Sequence, residues 1–339
     1  MKDMATFIEG IPKADLHLHI EGALEPEMKF EMAARNGLSL PYKTVEEVVA
    51  SYDFHDLSSF LDARYEGDGV LITERDFYEL AMSYYRRVHS ENLIYAEIFF
   101  DPQAHTKRGI EFSTVIEGLH RARNDASSEL GIDSQLIMCF WRDLSAESAA
   151  EALKQAEPYR DWIVGIGLDS DEKGNPPLKF KEVYEDAARQ GYRLTAHCDP
   201  EQENSVANIW EALTELGVER IDHGTNALED ESLVRALVDR NVGLTVCPVS
   251  NKAIVHDSKS RELKALLDKG VQVTVNTDDP AYFLGYMTDN LKAAQADGDL
   301  TAGEVTQLIR NAFSISWTTD AAKASYLQRL DEYATGAGV

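Results

Sequence analysis

Residues 13–20 read KADLHLHI, a short apolar run that ends in two histidines. A run of this length and composition is typical of a buried parallel strand. His17 and His19 are two positions apart, so both imidazoles point to the same face of such a strand. Two rings buried on one face must be paired, because unpaired polar groups are costly to bury. A hydrogen-bonded pair inside the core and a pair of metal ligands both satisfy this requirement.

Seven further runs of the same kind follow along the chain. They are Leu93–Phe100, Ser134–Trp141, Trp162–Asp169, Tyr192–Asp199, Arg220–Gly224, Gly243–Ser250 and Gln272–Asp279. Amphipathic helical patterns separate the runs, and several of these patterns end in glycine, the usual C-terminal cap. The pattern predicts an α/β fold, a (β/α)8 TIM-type barrel that forms one domain over residues 1–339. The long interval of about 22–91 predicts extra helices after the first strand.

The composition excludes several classes of partner. Acidic residues outnumber basic ones by 59 to 33, and the formal net charge is −26. Nucleic acids and anionic membranes need a basic footprint, so we expect neither as a partner and expect a small molecule instead. The three cysteines form no CxxC pair, and neither a signal peptide nor a long apolar span is present. We therefore expect a cytoplasmic protein, and the sequence leaves a homo-oligomer open.

Polar side chains stand at the ends of several predicted strands. His17 and His19 end the first strand, His197 the fifth and Asp278 the eighth. In a barrel these strand ends converge on one face, where catalytic groups lie. Three imidazoles and a carboxylate are donors suited to Zn²⁺. The set therefore predicts one zinc ion per chain.

The motifs around these residues resemble those of a known family. They are ADLHLHIEGAL (14–24), TAHCD (195–199), RIDHGTN (220–226), TVCPVSN (245–251) and VNTDDPAYF (275–283). In this order they are similar to the adenosine/adenine deaminase branch of the amidohydrolase superfamily. The stretches FHDLSSFLDARYEGDGVL (54–71) and GLDSDEKGNPPLKF (167–180) look most like the adenine deaminase subgroup.

The resemblance implies roles for individual residues. It implies a mononuclear zinc held by His17, His19, His197 and Asp278. His223 would orient and polarise the attacking water, and Asp279 would hydrogen-bond N7 of the purine. The segment 169–174 would line the pocket for the base. The implied reaction is hydrolysis of adenine to hypoxanthine and ammonia, a step of purine salvage.

The turn after the fifth predicted strand departs from the family pattern. Attack at C6 needs a proton shuttle, since ammonia is a poor leaving group until it is protonated. The family places a glutamate three residues after the histidine, where this chain has Pro200. The turn is about two residues longer, and that count sets Gln202 at the glutamate position. The shuttle is then Glu201, which we prefer for its longer side chain, or Asp199, unless both are ordinary solvated acids.

Two further acids have competing interpretations. Glu21 either contacts the purine edge or has a helix-capping or salt-bridge role, and Glu172 either contacts the base or is a plain loop acid. The aromatic residues Tyr52, Phe54, Phe60 and Tyr65 either pack the extra helices or form a lid. Deamination of N6-substituted adenines or adenosine is the alternative reaction. A purine-binding protein that has lost its shuttle is the alternative from another class.

Overall fold

Eight parallel strands in chain order form one sheet in the computed structural model, which describes residues 3–339. The strands are β1 (Lys13–His19), β2 (Leu93–Phe100), β3 (Asp133–Trp141), β4 (Ile163–Asp169), β5 (Arg193–Cys198), β6 (Arg220–His223), β7 (Gly243–Val246) and β8 (Val273–Val275). A parallel bridge between Leu18 and Asp278 joins the segment after β8 to β1. This bridge brings the two ends of the sheet together, and the predicted (β/α)8 barrel is confirmed.

Helices occupy every interval between consecutive strands, and further helices precede β1 and follow β8. They are α1 (Met4–Gly10), α2 (Pro26–Arg35), α3 (Val45–Ala50), α4 (Leu57–Gly67), α5 (Glu74–His89), α6 (Pro102–Thr106), α7 (Phe112–Leu130), α8 (Ala146–Ala156), α9 (Lys181–Arg189), α10 (Ser205–Glu211), α11 (Glu231–Asp239), α12 (Pro248–Val255), α13 (Ser260–Asp268), α14 (Met287–Gly298), α15 (Ala302–Ile315) and α16 (Asp320–Ala337). Within residues 3–339, no helix combines the length and the apolar character that crossing a bilayer requires.

The strands are buried on both faces, which explains why their sequences are apolar throughout. All seven residues of β1 and all eight of β2 are buried. The last two strands are shorter than the apolar runs predicted. Pro248 ends the β7 run because proline suits the first turn of a helix and cannot donate to a ladder. After β8 the backbone leaves the extended conformation, and Asp278 adopts a φ of 66°.

The segment between β1 and β2 carries four α-helices, α2 to α5. Helix α4 begins after a capping box in which Asp56 accepts from Ser59 N, and the Ser59 hydroxyl lies against the Asp56 backbone. Its apolar side chains belong to a small cluster separate from the main core, formed by Phe54, Phe60, Leu61, Tyr282 and Phe283. This satellite cluster lies over the carboxyl ends of the strands.

Candidate metal centre and active site

Four side chains from three distant parts of the chain bring donor atoms together at the carboxyl ends of the strands. The Nε2 atom of His197 lies 3.1 Å from Nε2 of His17 and 3.1 Å from Nε2 of His19. Oδ1 of Asp278 lies 3.3 Å from the first and 3.5 Å from the second of these two rings. All four residues are buried. The structure thus brings together the four ligands predicted from the sequence.

The geometry and chemistry of these donors fit a cation with tetrahedral coordination. Bonds of about 2.1 Å to zinc give a tetrahedron with edges of about 3.4 Å, close to the separations found here. Burial lowers the pKa of His19 to about 3, and burial with neighbouring imidazoles holds the pKa of His197 well below its usual range. The rings of His19 and His197 are therefore neutral, with lone pairs available to a metal, whereas, against the effect of burial, the carboxylates of Asp278 and Asp222 raise the pKa of His17. The three Nε2 atoms face one another, and a single shared proton cannot give all three a hydrogen bond. A metal cation can accept a lone pair from each of them.

Asp222, at the inner side of the cluster, supports two of the ligand rings. Its Oδ1 lies 4.0 Å from Nδ1 of His17, and its Oδ2 lies 3.6 Å from Nδ1 of His197. The hydroxyls of Thr245 and Thr195 donate to the same carboxylate at 2.9 and 2.7 Å. The same Thr245 hydroxyl lies 2.9 Å from Nδ1 of His17 and so links that ring to Asp222. A proton held at Nδ1 in this way leaves Nε2 free for a metal.

Asp169, the last residue of β4, supports the third ring. Its Oδ2 lies 3.3 Å from Nδ1 of His19, and both groups are buried. Burial and the neighbouring carboxylate of Asp101 raise the pKa of Asp169 well above its usual range. The sequence motifs predict no individual role for Asp169 or Asp222. An acid on an otherwise apolar strand was the available signal for both.

His223 lies against the donor cluster, with a ring nitrogen within 4.8 Å of donor atoms of His17, His197 and Asp278. Its Nε2 is 3.3 Å from Oδ1 of Asp199 and 3.7 Å from Oδ2 of Asp278. Burial lowers its pKa to about 4, so the ring is neutral near pH 7. Both His223 and Asp278 have a positive φ, 61° and 66°. Such conformations are uncommon outside glycine and concentrate at functional sites.

The two candidate proton shuttles in the turn after β5, Asp199 and Glu201, contact different parts of the structure. Asp199 is only 8% exposed, contacts His223 and lines the cleft. Glu201 also lines the cleft, but its Oε2 accepts a hydrogen bond from the backbone N–H of Leu57 at 3.1 Å. Asp199 is therefore the acid in contact with the inner site, and Glu201 contacts the helix above it.

Asp279 faces the cleft, and the guanidinium group of Arg64 lies on its other side. Its carboxylate is 3% exposed, and Oδ1 lies 3.3 Å from Nε of Arg64. Gly22 packs against Asp279 so closely that a Cβ at position 22 would overlap the carboxylate. The glycine backbone therefore sets the position of this acid.

Glu21 and Glu172 are not among the residues that line the cleft. Glu21 is fully buried and accepts from the backbone N–H of Asp101 at 3.1 Å and contacts Arg64 at 3.3 Å. Its Oε1 also lies 3.0 Å from Nε2 of the buried His105. Glu172 accepts from the backbone N–H of Asp199 at 2.8 Å. These contacts support the cleft from behind and do not reach its interior.

The cleft above the donor cluster has two kinds of wall. Its floor carries the polar groups just described. Its roof is apolar and is formed by Leu57, Phe60 and Leu61 of α4 with Ile254 and Phe283. A flat apolar ring with polar edges fits such a cleft.

Comparisons with known proteins agree with this site. The adenosine deaminase family profile matches residues 12–333. An adenine deaminase of Hahella chejuensis is 49% identical over 97% of this chain and 99% of its own, and an uncharacterised deaminase of Schizosaccharomyces pombe is 48% identical over 99% of both. The crystal structure of an adenine deaminase from Arthrobacter aurescens superposes with a TM-score of 0.92, at 42% identity over 96% of this chain and 100% of its own. An amidohydrolase from Burkholderia ambifaria with bound zinc shares the fold, with a TM-score of 0.89 at 23% identity over 99% of this chain and 95% of its own.

Proposed function

The chain belongs to the adenosine deaminase family, and we propose that it hydrolyses adenine to hypoxanthine and ammonia. The observation that carries the proposal is the buried cluster of three imidazoles and one carboxylate beneath an apolar roof. Relatives named adenine deaminase, 46–49% identical over about the whole chain, support the choice of substrate.

We assign one zinc ion per chain to His17, His19, His197 and Asp278. Zinc supplies a Lewis acid that makes water nucleophilic near neutral pH. Asp222 and Asp169 hold the ligand rings in the required orientation through their Nδ1 atoms. The hydroxyl of Ser250 donates to Oδ2 of Asp278 at 2.6 Å and leaves Oδ1 directed at the histidines.

We assign the proton transfers to Asp199 and His223, which face each other at 3.3 Å on the floor of the cleft. The neutral ring of His223 would orient the attacking water through Nε2. The Asp199 carboxylate would take the proton of that water and deliver it to N1 of the purine. This assignment departs from the preference for Glu201 drawn from side-chain length, because Glu201 is bound to the α4 backbone. The assignment of Asp199 rests on the position of its carboxylate beside His223.

We assign the recognition of N7 to Asp279, which is oriented by Arg64 from behind and by Gly22 below. The apolar roof then covers the face of the purine. A ribose on N9 would have to displace part of this roof. We therefore expect the free base to be preferred over adenosine.

A substrate panel with purified, zinc-loaded protein tests the proposed function. Adenine, N6-methyladenine and adenosine are each supplied, and ammonia release is measured together with the loss of the substrate's absorbance band. We expect kcat/KM to be highest for adenine. A kcat/KM for adenosine equal to that for adenine would contradict the assignment. Tight adenine binding without ammonia release would favour a binding protein instead.

We further propose that the protein acts in the cytoplasm on a free purine base, with neither nucleic acid nor membrane as partner. The net charge of −26 and the acids around the outer rim of the cleft, among them Asp56, Asp171 and Glu203, oppose polyanions. The free thiols of its three buried cysteines suit a reducing compartment. Cell fractionation and sedimentation of the pure protein test the location and the open question of a homo-oligomer.

A further inference from the structure

Two acids from neighbouring loops hold the N-terminal end of helix α4. Oε2 of Glu201, in the turn after β5, accepts from the backbone N–H of Leu57 at 3.1 Å. Oδ2 of Asp171, in the loop after β4, accepts from the hydroxyl of Ser58 at 3.0 Å. Leu57 is the first residue of α4, whose N–H groups lack partners within the helix. A carboxylate at this end also interacts favourably with the helix dipole.

The opposite end of α4 is fixed much more firmly. Arg64, in the last turn, is 2% exposed and donates to Oδ2 of Asp101 at 2.7 Å. It also contacts Glu21 and Asp279 at 3.3 Å. This buried ion cluster ties the C-terminal end of the helix to the barrel. Removing it would leave several charges buried without a partner.

Between its two ends, α4 packs in the satellite cluster and not in the main core. Phe60 and Leu61 contact this cluster, and Leu57 packs at its edge. Units with few buried apolar contacts open at low free energy while the core stays folded. The position of the roof over the cleft therefore depends on what holds its exposed N-terminal end.

We propose that Glu201 is a positioning residue that clasps the N-terminal end of α4 and so holds Leu57, Phe60 and Leu61 over the bound purine. We call the hydrogen bond from the Leu57 N–H to the Glu201 carboxylate the clasp. It forms because the turn after β5 is long enough for Glu201 to reach α4. Asp171 on Ser58 is its second contact. The proposal rests on the proposed function for the identity of the ligand, but the clasp itself is a property of the free protein.

Glu201→Ala and Glu201→Gln separate a clasp from a catalytic acid. The alanine variant loses the acceptor, so we expect KM for adenine to rise about fivefold to tenfold while kcat changes less than about twofold. The glutamine variant keeps an amide oxygen that can accept from Leu57, so we expect KM within about threefold of wild type. Glu203→Ala, which removes an exposed acid from the same turn, is the matched control and should change neither constant.

Hydrogen exchange at the Leu57 amide, measured on the adenine-free protein, tests the clasp independently of catalysis. We expect exchange to accelerate about fivefold or more in Glu201→Ala and to remain near wild type in Glu201→Gln and Glu203→Ala. Unchanged exchange and unchanged KM in Glu201→Ala would overturn the proposal. Loss of kcat in both Glu201 variants at constant KM would overturn it in favour of a catalytic acid. If wild-type protein does not turn over adenine but the exchange difference is present, the proposed function fails and the clasp stands.

Discussion

Replacing Asp199 by asparagine should remove the proton shuttle and leave the shape of the site intact. The two side chains have nearly the same size, and the amide can keep the 3.3 Å contact with Nε2 of His223. Asparagine cannot take a proton from water or deliver one to N1. Asp199 is only 8% exposed, so bulk water has poor access to replace it.

The expected loss follows from the size of general acid–base effects. These contribute about 10²- to 10⁴-fold, or about 2.7 to 5.4 kcal/mol of activation free energy. We expect kcat of Asp199→Asn to fall by at least about 10²-fold, with zinc content and adenine binding retained.

Steady-state kinetics with adenine check this prediction, together with metal analysis of the same samples and a binding titration. Glu201→Gln is the matched comparison, since it also exchanges one carboxylate of this turn for an amide. A kcat of Asp199→Asn above about one third of the wild-type value would refute the reasoning. Loss of kcat in Glu201→Gln alone would move the role to Glu201.

Three other substitutions test separate parts of the site. His223→Ala should keep the metal but lower kcat about 10²-fold; loss of the metal, seen by elemental analysis, would make His223 a ligand. Gly22→Ala should displace the Asp279 carboxyl group that its methyl group would overlap, and we expect KM for adenine to rise about tenfold, the equivalent of one hydrogen bond from the protonated acid to N7; an unchanged KM speaks against N7 recognition by this acid. Asp222→Asn should weaken zinc binding about 10- to 100-fold in a chelator competition, because His197 loses the carboxylate facing its Nδ1; undiminished affinity would assign Asp222 a purely structural part.

The barrel and the convergence of the four candidate metal ligands could be predicted because both follow from local pattern. Alternation on KADLHLHI puts His17 and His19 on one face, and the parallel arrangement sends His197 and Asp278 to the same end of the barrel. Neither step requires knowledge of a distant contact. The apolar strands are also buried on both faces, so their sequence signal is strong.

The supporting residues could not be predicted in the same way, because their roles depend on partners far along the chain. Glu21 contacts Arg64, 43 residues later, and Glu172 holds the Asp199 backbone, 27 residues later. The turn after β5 shows the same limit. Side-chain length favoured Glu201, but the backbone N–H of Leu57, 144 residues away, binds that carboxylate.

Turnover of adenine as a function of bound zinc tests the proposed function most directly. Protein stripped with a chelator is reloaded with measured amounts of Zn²⁺, and ammonia release is recorded at each step. We predict that activity rises in proportion to zinc and saturates at one ion per chain, with no activity in the stripped protein. Full ammonia release from metal-free protein, or none at saturating zinc, would contradict zinc-dependent deamination of adenine at this site.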